Sequence, residues 1–388
     1  MQTETMTSRE RVLEALSHRE PDRVPIDLGG NQTGIHKFAY DALLEHLGIE
    51  DELTIMDPVQ QLARPCEAVL ERFGVDTRYI SAGPPADWPG GIVTRQRDGR
   101  VWHDLTDEFG VTWSMPDDEP LYMDISHHPL ADVSIDDVAN HPWPRGDDPT
   151  RFDGLRDRAL AIRNDTPYAV VSGISGVTYE ICWYLRGLEN WFVDMMTQPA
   201  FCEAMLDQTL KYWLDWFGPF CDAVGDVVDV IMIGDDLAGQ NGPLFRPAFY
   251  RDVVKPRHKQ LVQFIRSRTQ AKIWYHTCGS CVGYIDDLLD NGIDILNPVQ
   301  ISAANMDPAD LKARFGDRLV FWGGGIDPQH VLPTASPETV RQHVRRNVET
   351  FKPGGGYVFN NVHNIQAGVP AENIVALFDA ARECGFYR

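Results

Sequence analysis

Two side chains with metal-ligating chemistry stand two residues apart in Tyr275-His276-Thr277-Cys278-Gly279. On an extended segment residues i and i+2 project to the same side, so an imidazole and a thiol converge there. A thiolate beside a neutral imidazole is a borderline-soft donor pair that suits zinc. His363 is the candidate third ligand, leaving a fourth position open for water or a substrate sulfur, as catalytic zinc requires. Cys281 follows Cys278 at CxxC spacing, which alone is a weak signal. The same His and Cys could also be hydrogen-bonded at a strand end with no metal at all. Asp235 and Asp236 are adjacent, so on an extended segment only one faces any common site. That one could work as an acid, while the other caps a helix or pairs with a base. Tyr179 offers a hydroxyl at the start of a helix, with packing against Trp183 as the equal alternative; Gln240, Asn31, Asn361 and Asp327 offer polar groups to a substrate.

These residues become neighbours only if the chain brings strand ends together. Short apolar runs at 24–28, 77–80, 168–172, 228–233, 272–275, 294–297, 319–322 and 357–360 read as strands. Most are continuously hydrophobic, the pattern of strands covered on both faces. Helical patterns lie between them at 38–47, 58–73, 200–224, 247–268, 284–291, 337–351 and 371–384. Strand and helix alternating in this way predict an α/β fold, an eight-fold (β/α)8 TIM barrel, as one domain over 1–388. In that architecture chemistry sits at the C-terminal ends of the strands. Asn31, Asp235, Asp236, Gln240, His276, Cys278, Asp327, Asn361 and His363 all follow a predicted strand. Segment 92–115 alternates around turns at Asp98-Gly99 and Phe109-Gly110 and predicts an antiparallel meander inserted after the second strand; 117–148 reads as loop.

The bulk composition narrows the function classes. Lys and Arg total 35 against 57 Asp and Glu, a net charge of −22, which argues against nucleic-acid and anionic-membrane partners. No apolar run reaches the roughly 18 residues of a membrane span and no export signal is present, so a cytoplasmic enzyme with reduced cysteines is expected. No phosphate loop, GxGxxG or HExxH element occurs, and the glycine runs 323–325 and 354–356 read as strand-end turns.

The opening Ser8 to Leu16, the Pro21-Asp22-Arg23-Val24-Pro25 element, Gly234-Asp235-Asp236 with Pro247 to Pro256, the His276-x-Cys278-Gly279 element and the ending Val369 to Ile374 together resemble the uroporphyrinogen decarboxylase superfamily over nearly the whole chain. That superfamily holds cofactor-free decarboxylases of an octa-anionic tetrapyrrole. It also holds methyltransferases, often zinc-dependent, that move methyl groups between corrinoids, thiols and other acceptors. The decarboxylases carry an Arg-rich element after the first strand, where this chain reads Asp27 to Thr33 without arginine. Their catalytic aspartate lies in an FSD element, where this chain reads Ile80-Ser81-Ala82-Gly83. The methyltransferase branch is similar in its His-x-Cys pair and uses a third ligand near the last strand, usually Cys and here His363. The resemblance thus implies a zinc-assisted methyltransferase or demethylase acting on a small molecule. Zinc would be held by His276, Cys278 and His363, with Asp235 or Asp236 as acid and Tyr179, Gln240 and Asn361 orienting the substrate. A corrinoid (cobalamin) would come on a separate carrier protein, since no DxHxxG element is present, and the chain would act as monomer or homodimer. The alternatives are a cofactor-free decarboxylase and a non-catalytic corrinoid- or ligand-binding barrel.

Overall fold

A computed structural model describes residues 4–387. Its centre is a curled sheet of seven parallel strands: β1 Thr77–Tyr79, β2 Ala169–Gly173, β3 Val230–Gly234, β4 Lys272–His276, β5 Ile295–Asn297, β6 Val320–Trp322 and β7 Tyr357–Val358, in that spatial order. The predicted first strand, 24–28, is not a regular strand, because Pro25 has no N–H to give a ladder. It nevertheless fills the eighth position. Asp27 N donates to Phe359 O and Phe359 N to Pro25 O beyond β7, while Asp76 N donates to Ile26 O beside β1. The Asp76 carboxylate takes the remaining Ile26 N–H.

Strand alternation sorts the core into two packed sets. Ala169, Val171, Val230, Met232, Trp274, Ile295, Val320, Trp322 and Val358 form one buried cluster, the barrel interior. Their strand neighbours Val170, Ile231, Ile233, Ile273, Tyr275, Leu296 and Phe321 pack instead into the large cluster under the helices. Rings of Trp274 and Trp322 lie 4.7 Å apart inside the barrel, so it is a filled core and not a pore. Around it run α1 Tyr179–Arg186, α2 Pro199–Val224, α3 Lys255–Arg266, α4 Pro337–Phe351 and α5 Ala371–Cys384. Among the described residues no helix is long and apolar enough to cross a membrane.

Three expectations are corrected. The helix expected over 58–73 is helical only at Glu67–Phe73. Before it, Ile35–His36, Ile55–Asp57 and Leu62–Ala63 form a small antiparallel sheet, turned by the Asp57 carboxylate, which accepts from Val59 N and Gln60 N. The helix expected over 247–268 is interrupted by a π turn at Tyr250–Val254, next to Pro256, whose ring nitrogen cannot donate. Finally, 117–148 is not all loop. Asp124–His127 adds a fourth strand to the inserted sheet of Val93–Arg97, Arg100–Thr106 and Thr112–Pro116, and Ile135–Asn140 is helical. The three-stranded meander, once formed, offers an open edge that a further strand satisfies.

Candidate metal centre

The alternation that fills the barrel also delivers the site. In β4, Trp274 points inward and Tyr275 outward, so His276 is the next inward side chain, at the open end. Parallel pairing sets Gly234 of β3 beside it, where a Cβ would lie 2.4 Å from His276 O; only glycine lets the two strand ends close. The turn after β4 depends on Gly279 (φ +79°), where a Cβ would meet Ala238 O at 2.4 Å. Gln300 Oε1 accepts Gly279 N at 2.7 Å, and Asp236 Oδ1 accepts Cys278 N at 2.7 Å, so the cysteine is fixed on both sides.

His276, Cys278 and His363 converge. One ligand atom from each lies within 4.8 Å of the others. Cys278 Sγ is 3.5 Å from His276 Nε2, and the two imidazole centroids are 5.3 Å apart. Asn297 Nδ2 donates to Trp322 O at 2.9 Å, which turns Oδ1 toward His276 Nδ1 at 2.6 Å. Nδ1 must then carry the proton, and the Nε2 lone pair faces the cluster. His363 reaches across the mouth from the segment after β7 with a left-handed backbone, φ +61°. That conformation costs a non-glycine residue about 1–2 kcal/mol, and Asn361 Nδ2 holds the bend by donating to His363 O at 2.6 Å.

Burial sets the charge state. It lowers the His276 imidazole to about 4, and burial with His276 nearby lowers His363 to about 3, so both rings are neutral lone-pair donors near pH 7. Burial, with Asp236 and Glu180 beside it, pushes the Cys278 thiol well above its ordinary value. Two neutral imidazoles and a thiol that lacks a compensating positive charge fit a divalent, borderline-soft cation. Cys281 stands apart from this set; buried at the start of the turn Cys281–Tyr284, it is pushed up to about 12.

The two aspartates separate as their parity requires. Asp235 is fully buried on the outer side, accepting from Thr178 N and Oγ1, Glu180 N and His258 Nε2, where it caps α1. Asp236 faces the cluster. Burial raises its carboxyl above the usual range. Tyr179 does not reach the mouth: it is fully buried, stacked on Phe245, with its hydroxyl 4.0 Å from Met195 Sδ. Gln240 is exposed at a hairpin tip, held through its own carbonyl by Ala304 N. Asp327 serves its own loop, accepting from Gln329 N and His330 N. Asn31 lines a 310 Å³ cavity on the far side of the mouth, and Asn361 is buried with Oδ1 free of any partner.

Sequence reasoning passed over Glu180. One residue after Tyr179 on α1, and so about 100° around the helix, it is buried beside Asp236. Burial, Asp236 and Asp235 push its carboxyl well up, and its side-chain partner is the Tyr184 hydroxyl at 3.3 Å. A glutamate in the first turn of a helix usually signals only a favourable dipole position, so residue type and place alone do not single it out. Asn297 and Gln300 lay within the strand-end residues but carried no signal of their positioning roles.

The model of one enzyme family, described as uroporphyrinogen decarboxylase, matches residues 106–384. The chain belongs to the uroporphyrinogen decarboxylase family. A relative named uroporphyrinogen decarboxylase from Alkalilimnicola ehrlichii is 40% identical over 398 aligned positions, spanning 98% of this chain and 95% of the relative. Another of that name, from Psychromonas ingrahamii, is 26% identical over 253 positions, 62% of this chain and 66% of the relative. Among solved structures, a methyltransferase from Methanosarcina mazei superposes with a TM-score of 0.65 at 18% identity, covering 98% of this chain and 99% of its own. That likeness establishes the shared barrel fold of the family.

Proposed function

We propose that this family member is a methyltransferase. It would pass a methyl group between a small methylated substrate or thiol and a corrinoid, with zinc held by His276, Cys278 and His363. The observation that carries this reading is the convergence of those three ligand atoms within 4.8 Å, from strand ends on opposite sides of the barrel. A zinc ion there would supply a Lewis acid that lowers the pKa of an acceptor thiol or polarises the atom bearing the methyl group. His276 is oriented for ligation by Asn297, and Cys278 by Asp236 and Gln300. Asp236, its carboxyl raised by burial, is the residue that would serve as the acid toward a leaving group. The corrinoid would arrive on a separate carrier protein. Metal analysis tests the reading: about one zinc per chain is expected, and close to none in His276→Ala and Cys278→Ser. Less than a tenth of an equivalent, with both variants still active, would sink it.

A second reading, cofactor-free decarboxylation, draws on the names of the relatives. A polycarboxylate needs free guanidinium groups to replace its hydration. Of the side chains lining the 310 Å³ cavity, the basic one is Arg151, and it is already paired with Glu108. Decarboxylation predicts activity that survives exhaustive chelation, whereas methyl transfer predicts its loss.

A further inference from the structure

A second cavity of about 230 Å³ adjoins the first under the inserted sheet, sharing Trp213, Ile174 and Glu108 with it. Its walls are chiefly aromatic: Trp88, Phe109, Trp113, Tyr184 and Trp213. Trp113 and Tyr184 meet edge to face, 5.3 Å apart at 77°, and make a corner. The polar handle of each ring in that corner is directed at a carboxylate. Trp113 Nε1 donates to Asp107 Oδ2 at 3.0 Å, and the Tyr184 hydroxyl donates to Glu180 Oε1 at 3.3 Å. An N–H or O–H given to an anion pushes electron density into the ring and makes its face more negative, which is the property a cation reads.

The charges agree. No lining residue is basic. Glu108 is neutralised by Arg151. Asp107 is occupied by Phe109 N, Val111 N and the Trp113 indole, none of them a cation. Glu180 touches the cavity wall through Tyr184 and Gly176, with no ion pair, and beyond it lie Asp236 and the amide of Cys278. Trp213 stands in the wall common to both cavities. An anion would meet repulsion here. A neutral apolar group would leave the two carboxylates uncompensated.

We propose that this aromatic corner binds the N-methylated ammonium group of the substrate, next to Glu180 and Asp236. The inference names the donor for the methyl-transfer reading and rests on that reading for its chemistry. In that transfer the C–N bond breaks with its electron pair left on nitrogen, and the new bond to carbon is made by the electron pair of the corrinoid or thiolate acceptor. The ammonium thereby leaves as a neutral amine. Neither Asp107 nor Glu180 has a positive charge among the groups it bonds. A quaternary ammonium supplies it without a proton.

The test compares choline with 3,3-dimethylbutan-1-ol, its uncharged isostere, by titration calorimetry on the full chain, both metal-free and zinc-loaded. Choline should bind at least about tenfold tighter, the range of a partly desolvated cation–π site. That preference should fall to within about threefold in Trp113→Leu and in Glu180→Gln. Equal affinity for the two probes, no binding of either, or a preference unchanged in Trp113→Leu overturns the proposal. The zinc reading fails separately. A chain that binds one zinc but does not discriminate the probes refutes the ammonium site alone, and discrimination without zinc refutes the metal reading alone.

Discussion

Asp235 and Asp236 are chemically identical neighbours, and the geometry predicts opposite consequences for changing each to alanine. Asp235→Ala removes the acceptor for Thr178 N, Thr178 Oγ1, Glu180 N and His258 Nε2 in a fully buried place. At roughly 1 kcal/mol for each lost bond, and more for one to a charged group, the cost is about 4–5 kcal/mol. A 388-residue chain has an unfolding entropy near 0.8 kcal/mol/K at its midpoint, by the usual per-residue scaling, so the melting temperature should fall by about 5–6 °C. Asp236→Ala loses one bond, to Cys278 N, and also relieves a carboxyl that burial has raised. The two effects oppose, and the shift should be about 1 °C or less. Activity should invert the order, with Asp236→Ala losing about 10²- to 10⁴-fold as expected for removal of a general acid. Asp235→Ala should retain most of its activity well below its melting point. Thermal unfolding followed by circular dichroism, beside a single-substrate assay, decides the matter. If Asp236→Ala is the less stable variant, or if Asp235→Ala melts within 1 °C of the parent, the assignment of inner and outer roles is wrong.

Zinc binding should release one proton. His276 and His363, lowered to about 4 and about 3, are already neutral above pH 5.5, whereas the raised Cys278 thiol must lose its proton. Affinity should therefore rise about tenfold per pH unit from 5.5 to 8, and a slope of two or three orders per unit, read from competition with a chelator, would contradict this. Asn297→Ala should weaken zinc about 10- to 100-fold by freeing the His276 tautomer, measured in the same competition. Tyr179→Phe should change neither zinc content nor turnover and should cost less than about 1 kcal/mol, because its hydroxyl is packed against Met195 Sδ at 4.0 Å, away from the cluster; a tenfold loss of activity would restore the hydroxyl to the chemistry.

The barrel was legible because its strands are continuous apolar runs separated by helical periods, and the approach of His276 to Cys278 was legible because the two share a parity that the fold preserves. Segment 24–28 was misjudged in detail for a local reason. Its apolar pattern is that of a strand, yet Pro25 removes a donor and a side chain, Asp76, replaces part of the ladder. Tyr179 stood between a ligand role and packing because a hydroxyl at a helix start says nothing about which way that helix turns. The helix is oriented by Asp235, fifty-six residues later in the chain, through Thr178 and Glu180. Side-chain contacts of that range leave no local period in the sequence.

The same dependence explains why the outward residues at the strand ends are as constrained as the inward ones. At the end of β3 the inward positions run Met232, Gly234, Asp236, and at the end of β4 they run Trp274, His276, Cys278. The residues between them are the fasteners. Asp235 ties the start of α1 to His258 of α3, and Thr277 Oγ1 takes the Leu237 N–H at 3.0 Å, binding the β3 loop to the β4 loop. Each fastener fixes the backbone whose next side chain reaches inward, so of the inward atoms only Asp236 Oδ1, on Cys278 N, and His276 Nδ1, on Asn297, are spent on support. A site assembled this way leaves Cys278 Sγ, His276 Nε2 and the Asp236 carboxyl with lone pairs directed into the mouth, which is the condition for binding a metal or a substrate there instead of merely stabilising a strand end.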